Sequence, residues 1–357
     1  MKKGLTVKPS KKQHKRPAVT QKDIAKLAGV STALVSYVIN DGPLPVAEDT
    51  RQRVLQTIQA LGYRPNKHAQ RLRSKTDQVQ RQLGIIMGGG SDMLQHPYYP
   101  DILAGIYDEA HRLGQHIRFL HFFDELQDPM LFNEHVHPEE ISALILFAPD
   151  LSSANPQNQV LLNQILERIT NVVCLEQTIA NVPAVIFDRN SAARTAVTHL
   201  IKLGHQQVGF VGSPDERLAG YRQTLLDHGL SYDNGLVKET HNSPEEGYER
   251  VLQLLDLNPR PTAIFAANDE TAIGILGALH DRGLKAPDDL ALVSIDDINL
   301  AVVVRPTLTT VRVPRRQMGM YALHMLAMHR DHPDIQPASM VLPTELIIRQ
   351  SCGAKKE

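Results

Sequence analysis

Residues 19–40 read VTQKDIAKLAGVSTALVSYVIN, and this stretch contains two short helices and the turn that joins them. Thr20, three residues before Asp23, fits a capping box; Ile24, Leu27 and Ala28 then fall on one face, and Gly29 ends the helix. Ser31 caps a second helix whose Leu34, Val35 and Val38 point inward, leaving Thr32, Ala33, Ser36, Tyr37 and Asn40 outward. A third helix over Glu48 to Leu61 buries Val54, Leu55, Ile58 and Leu61 and is closed by Gly62. Ala47 stands at its N-cap without a side-chain oxygen, at a cost of about 1 kcal/mol.

Two helices joined through Gly29, Val30 and Ser31 make a helix-turn-helix, whose second helix has the width to lie in a major groove. A generic three-helix packing unit explains the apolar residues equally well. Duplex DNA is favoured by the small polar outer face of the second helix, with Lys22, Lys26, Arg51 and Arg53 around it. Charge distribution agrees: the formal net charge is −1, yet residues 1–82 carry 17 Lys and Arg against 5 Asp and Glu. A basic head on an acidic body suggests a polyanion-binding module joined to a part with another task. Residues 1–18 lack any apolar period and are expected to be a disordered basic extension.

At 357 residues the chain has room for two or three domains, and its 42% hydrophobic and 22% charged content is ordinary for globular proteins. No apolar run approaches the length of a membrane span, and the basic start has no apolar core of a signal peptide, so a cytoplasmic protein is expected. Two cysteines, Cys174 and Cys352, exclude a disulfide scaffold and a zinc finger.

From Leu83 onward, apolar runs alternate with amphipathic helical stretches. Strands are expected at Leu83–Met87, Ile117–Phe123, Ala143–Phe147, Val172–Leu175, Ala184–Phe187, Val208–Val211, Ala263–Ala266 and Leu290–Ile295. Helices are expected at Tyr99–Leu113, Ala192–Leu203, Arg217–Leu226, Glu246–Leu255, Glu270–Arg282 and Arg316–His329. Such alternation gives parallel sheets covered by helices on both faces, with ligands beyond the carboxyl ends of the strands.

The opening stretch, with Thr50-Arg-Gln-Arg-Val and Leu61-Gly-Tyr-Arg-Pro-Asn66 after it, resembles the headpiece of the lactose repressor/galactose repressor family, and the likeness runs through all but the N-terminal extension. The resemblance implies an all-α helix-turn-helix headpiece over 19–63, a hinge helix and linker over 64–82, and an α/β periplasmic-binding-protein-like body over 83–357. The body would divide into half-domains of about 83–187 plus 313–342 and 188–312 plus 343–357, with a cleft between. It further implies a dimeric regulator, expected to be a repressor, on a palindromic operator, switched by a small carbohydrate-like effector. Its DNA-binding residues would be Thr20, Ser31, Thr32, Ala33, Ser36, Tyr37, Asn40, Asn66, Ala69, Gln70 and Leu72, with Leu72 as a wedge opening a base step in the minor groove. Its effector-binding residues would be Tyr98, Tyr99, Glu176, Arg217, Asn268 and Asp296, with Glu176 aligned across a one-residue gap. Among departures from the family pattern, Tyr37 for an Arg implies a different preferred operator base, while His96 for an Asn, Asn242 for an aromatic ring and Val313 for a Gln argue against a purine effector.

Other classes fit less well. A sugar-binding transport protein shares the body fold but has no use for the basic head. Gly88-Gly89-Gly90 lacks the continuation of a phosphate loop, and no Gly-x-Ser-x-Gly elbow is present, so no enzyme, catalytic residue or cofactor is expected. His135, His137, Glu139 and Glu140 could bind a metal, but surface solvation is the better reading, and no metal site is expected.

Overall fold

The computed structural model describes residues 19–39, 46–63, 82–149, 151 and 155–355. Asn40 and the expected hinge residues Asn66, Ala69, Gln70 and Leu72 lie outside these, as does the N-terminal extension. In the headpiece, α1 (Gln21–Ala28), α2 (Thr32–Ile39) and α3 (Glu48–Leu61) enclose one apolar cluster. Thr20 and Asp23 form a reciprocal capping box, so two orphan amides at the start of α1 are satisfied. Gly29 then takes φ +67°, a left-handed conformation that costs a side-chain-bearing residue energy, and turns the chain into α2. Ser31 Oγ accepts from the Leu34 amide at 3.2 Å, capping α2 as expected. Ala47 makes no side-chain cap at α3, also as expected.

Ile24, Val35, Val54 and Ile58 are fully buried, each worth roughly 1.5–3 kcal/mol of transfer free energy. Leu27 does not join them. It is 65% exposed, and Ala25 is buried in its place. Small Ala25 and Ala28 let the other two helices approach α1 closely on that side, which turns the bulkier Leu27 outward. Tyr63, just beyond α3, completes the core.

The body begins with β1 (Gln82–Met87), α4 (Tyr99–Arg112), β2 (His116–Phe122), α5 (Pro129–His135), β3 (Ala143–Phe147), α6 (Pro156–Arg168), β4 (Val172–Leu175) and β5 (Ala184–Phe187). It continues with α7 (Arg189–Lys202), β6 (Val208–Gly212), α8 (Glu216–Asp227), β7 (Val237–Glu239), α9 (Pro244–Leu255), β8 (Ala263–Ala266) and α10 (Asp269–Asp281). It ends with β9 (Ala291–Asp296), β10 (Thr309–Arg312), α11 (Arg315–Asp331), β11 (Ser339–Leu342) and β12 (Glu345–Ile347).

Two six-stranded sheets result, ordered β11-β5-β4-β3-β1-β2 and β12-β10-β9-β8-β6-β7. All pairings are parallel except that of β12 with β10. The chain passes from the first sheet to the second after β5, returns through α11 and β11, and crosses again before β12. Strands buried on both faces explain the unbroken apolar runs. Leu83, Ile85 and Met87 enter one core and Ile86 another, while Phe265 and Ile264 part in the same way in the second sheet.

Helices α4 and α11 pack at very short range. A β-carbon on Gly105 would lie 2.1 Å from the Arg316 carbonyl oxygen, and one on Gly319 would lie 2.2 Å from that of Ile102. Glycine is therefore required at both positions, and the crossing ties α11 to the first half although it follows a strand of the second.

Candidate functional site

On the headpiece, the outer face of α2 presents exposed Thr32, Ala33 and Tyr37 beside half-buried Ser36. Exposed Lys22 and Lys26 on α1 and Arg53 on α3 flank it. Thr20 is exposed, and its hydroxyl donates to Asp23 Oδ2 at 2.7 Å. Ser31 caps α2 and buried Val35 and Val38 fix its apolar side against the core, leaving short side chains outward. A helix of this bulk fits a major groove, where short side chains bring the backbone close to base edges.

In the body, the candidate residues gather where strand ends of both sheets face one another. Tyr98, just before α4, donates from its hydroxyl to Glu176 Oε1 at 2.5 Å. Glu176 follows β4 with φ +74° and is 4% exposed. Arg189, first residue of α7, pairs with the Glu176 carboxylate and donates to its carbonyl at 2.8 Å. The Tyr99 ring stands edge-on to Phe147 at 5.5 Å and to Tyr98 at 5.3 Å. Burial pushes both tyrosine hydroxyls above the ordinary range, and the nearby Glu176 and Asp296 add to the shift.

Arg217 sits in the first turn of α8. Its guanidinium donates to Asp215 at 2.6 Å and to the Ala267 carbonyl at 2.9 Å, which ties the α8 entrance to the end of β8. Burial opposes ionisation of Asp215, but the hydrogen bonds and charge of Arg217 outweigh it and hold the carboxyl below its usual value.

Asp296 ends β9 with φ +122°, an uncommon conformation for a residue other than glycine, and Asp297 follows at φ +56°. Asp296 is 7% exposed, yet among the described residues its carboxylate accepts no hydrogen bond. Burial and the neighbouring Asp269 push its carboxyl well above the ordinary value; Arg217 and Arg315 oppose the shift, and Glu176 adds to it. Arg315 opens α11 and donates to Asp101 at 2.7 Å and to the Asp297 carbonyl at 3.1 Å, and it also donates to the Asp296 carbonyl.

Asn268 is placed differently. Its Oδ1 accepts from the Thr271 amide at 2.9 Å as the N-cap of α10, and its Nδ2 donates to the Asn242 carbonyl at 3.1 Å. Both ends of the amide serve the turn. Asn242 is itself bound to Ser213, so the place of the family's aromatic ring holds a polar clamp. Asp269 is fully buried and accepts from Ser294, Thr310 and the Ile298 amide.

Tyr98, Tyr99, Glu176, Arg217 and Asp296 are therefore electrostatic neighbours. Sequence reading missed Arg189, Arg315 and Asp215. A signal was present for the two arginines, because a cation at the first position of a helix opposes the macrodipole and needs a compensating partner. His135, His137, Glu139 and Glu140 form no metal cluster, and no group of three metal-ligating side chains occurs among the described residues. Among those residues no helix is long and apolar enough to cross a membrane. Burial pushes the Cys174 thiol up to about 12, in keeping with a core strand residue.

A groove-reading headpiece on a body of paired parallel sheets, with polar side chains between their strand ends, defines the class of ligand-responsive transcriptional regulators. Residues 20–66 match the bacterial regulatory proteins of the lacI family, and residues 197–352 match the periplasmic binding protein-like domain. Catabolite control protein A of Priestia megaterium is 31% identical over 341 residues, covering 93% of this chain and 99% of that one. The chain belongs to the lacI family of bacterial regulatory proteins. The HTH-type transcriptional regulator GalR of Escherichia coli K12 is 29% identical over 347 residues, covering 93% of this chain and 95% of its own.

Among solved structures, the transcriptional regulator CelR–cellobiose complex superposes with a TM-score of 0.67 at 27% identity, covering 94% of this chain and all of that one. The lac repressor dimer bound to operator and the anti-inducer ONPF gives 0.66 at 25%, with 94% of this chain covered. The expected family, fold and regulatory function are thus borne out.

Proposed function

We propose that this regulator is a homodimeric repressor that reads a palindromic operator through α2 and a hinge, and that a carbohydrate bound between the half-domains sets its operator affinity. The observation that carries the first part is the exposed, small-residue face of α2, whose start is capped by Ser31 and whose apolar side packs into the headpiece core. Thr32, Ala33, Ser36, Tyr37 and Asn40 meet base edges. Thr20 and Ser31 lie against phosphates, and Asn66, Ala69, Gln70 and Leu72 form the minor-groove hinge. The domain limits are those the sequence implied: headpiece to residue 63, hinge and linker to 82, and the two half-domains beyond.

Tyr98, Tyr99, Glu176, Arg217 and Asp296 line the effector site, and Asn268 shapes its floor through the α10 cap. Support for a sugar comes from the aromatic ring of Tyr99 beside buried acceptors and from relatives whose structures hold cellobiose or ONPF. Effector binding acts by population shift. The ligand favours one relative arrangement of the half-domains, and that arrangement favours or disfavours the paired hinges on DNA.

The test is selection of bound duplexes from a random pool at near-physiological salt, repeated with a panel of mono- and disaccharides. A palindrome whose enrichment changes with one sugar is the expected result. Enrichment of nothing beyond a salt-sensitive background would overturn the operator reading. In the same assay Leu72→Ala is expected to lower operator affinity and leave sugar binding intact; unchanged operator affinity would remove Leu72 as the wedge.

A further inference from the structure

Resting on the sugar reading above, we propose that the cleft selects an uncharged, hydroxyl-bearing effector and rejects the phosphorylated form of the same sugar.

Three arginines reach the site, and each is already neutralised. Arg189 is held by the carboxylate and carbonyl of Glu176. Arg217 is held by Asp215 at 2.6 Å and the Ala267 carbonyl at 2.9 Å. Arg315 is held by Asp101 at 2.7 Å and by the carbonyls of Asp296 and Asp297. The guanidinium side chains are 24%, 11% and 6% exposed, so bulk water does not substitute for a lost partner.

A phosphate monoester needs cationic donors. Among these three arginines it could obtain one only by taking it from its carboxylate, which would leave buried Glu176 without its cation or strip Asp215 or Asp101 of a close ion pair.

A hydroxyl meets none of these obstacles. Burial and the adjacent Asp269 favour the protonated Asp296 carboxyl, which can donate to a sugar oxygen as well as accept from a hydroxyl. Glu176, Asp215 and Asp101 are already taken by the arginines, so an ammonium group meets no free carboxylate among them. The Tyr99 hydroxyl likewise has no partner among the described residues, and its ring offers an apolar face.

The experiment measures thermal shift, calorimetric affinity and operator affinity of the full-length protein with neutral hexoses and disaccharides, their 6-phosphates and their 2-amino analogues. The expected result is a neutral sugar that binds and changes operator affinity, with its phosphate at least about 100-fold weaker. A phosphate or amine that binds as tightly as its neutral parent, or more tightly, overturns the inference and leaves the sugar reading standing. No response to any member overturns both.

Asp296→Asn supplies an independent reading, because Asn also tolerates positive φ and a folded variant is expected. Its affinity for the neutral sugar should fall about 10- to 100-fold, because the amide cannot both donate and accept as the carboxyl does, and the phosphate should remain excluded because the three arginine pairs are untouched. Unchanged affinity would show that Asp296 does not face the ligand, and a newly tight phosphate would show that the arginine pairs are not what excludes it.

Discussion

Asp269 shows how a buried carboxylate is kept in place. Donors at Ser294 Oγ (2.5 Å), Thr310 Oγ1 (2.6 Å) and the Ile298 amide (2.8 Å) surround it, yet burial outweighs them and its carboxyl rises from 3.8 to about 6. The folded state therefore holds this proton more tightly than the unfolded chain. The stability that follows is fully present below pH 3.8 and is lost as pH rises through about 6. Asp269→Asn is expected to flatten the stability profile between those values relative to wild type, measured by urea denaturation at half-unit pH steps. Identical slopes would show that Asp269 titrates alike in both states. Its neighbour Asn268, with the extended backbone of an N-cap, caps α10, while Asp269 is already helical and turns its carboxylate to tertiary donors.

Among the elements, the α4–α11 crossing gives the sharpest test. Gly105→Ala and Gly319→Ala each drive a β-carbon into a carbonyl oxygen of the facing helix, which no rotamer change can relieve. Each is expected to cost roughly 1–3 kcal/mol, seen as a lower thermal midpoint, and the double variant should fall short of the sum because one separation of the helices relieves both clashes. Gly277→Ala in α10 is the control. The nearest atom to its new β-carbon is Tyr248 Cδ2 at 3.7 Å, so gained helix propensity should leave stability equal or up to about 1 kcal/mol higher.

Legibility also varied by element. β3, β4, β5 and β8 were readable to the residue because parallel strands covered on both sides are continuously apolar. β7, β10, β11 and β12 were missed. Each has only three or four residues, and β10 carries Thr309 and Thr310, fully buried because their hydroxyls bond to Cys352 and Asp269. Polar residues read as loop when their partners lie forty positions away.

For the whole molecule, His96 and Glu270 span the two halves. His96 Nδ1 lies 3.1 and 3.3 Å from the two carboxylate oxygens of Glu270, joining the loop before α4 to the start of α10. This contact stands apart from the chain crossings and bridges the two halves. His96→Ala and Glu270→Gln are each expected to weaken affinity for the sugar found by the panel by about two- to fivefold, the scale of a partly exposed pair, with no further loss when combined. Additive losses would show that the two side chains act separately. Small-angle scattering of the sugar-free variants should show a larger radius of gyration than wild type, as the halves part.

The amino-acid sequence by itself determined the headpiece, its caps, the alternation that gives parallel sheets, and the family. These rest on local periodicity, capping chemistry and turn glycines, which act within a few residues. Tertiary structure alone decided that Leu27 faces outward, that Asn268 is a cap, that the arginines of the site are already paired, and that the Asp296 carboxylate accepts no hydrogen bond among the described residues. Those outcomes depend on distances between groups far apart in the chain, and burial sets their electrostatic weight only after the two sheets have formed.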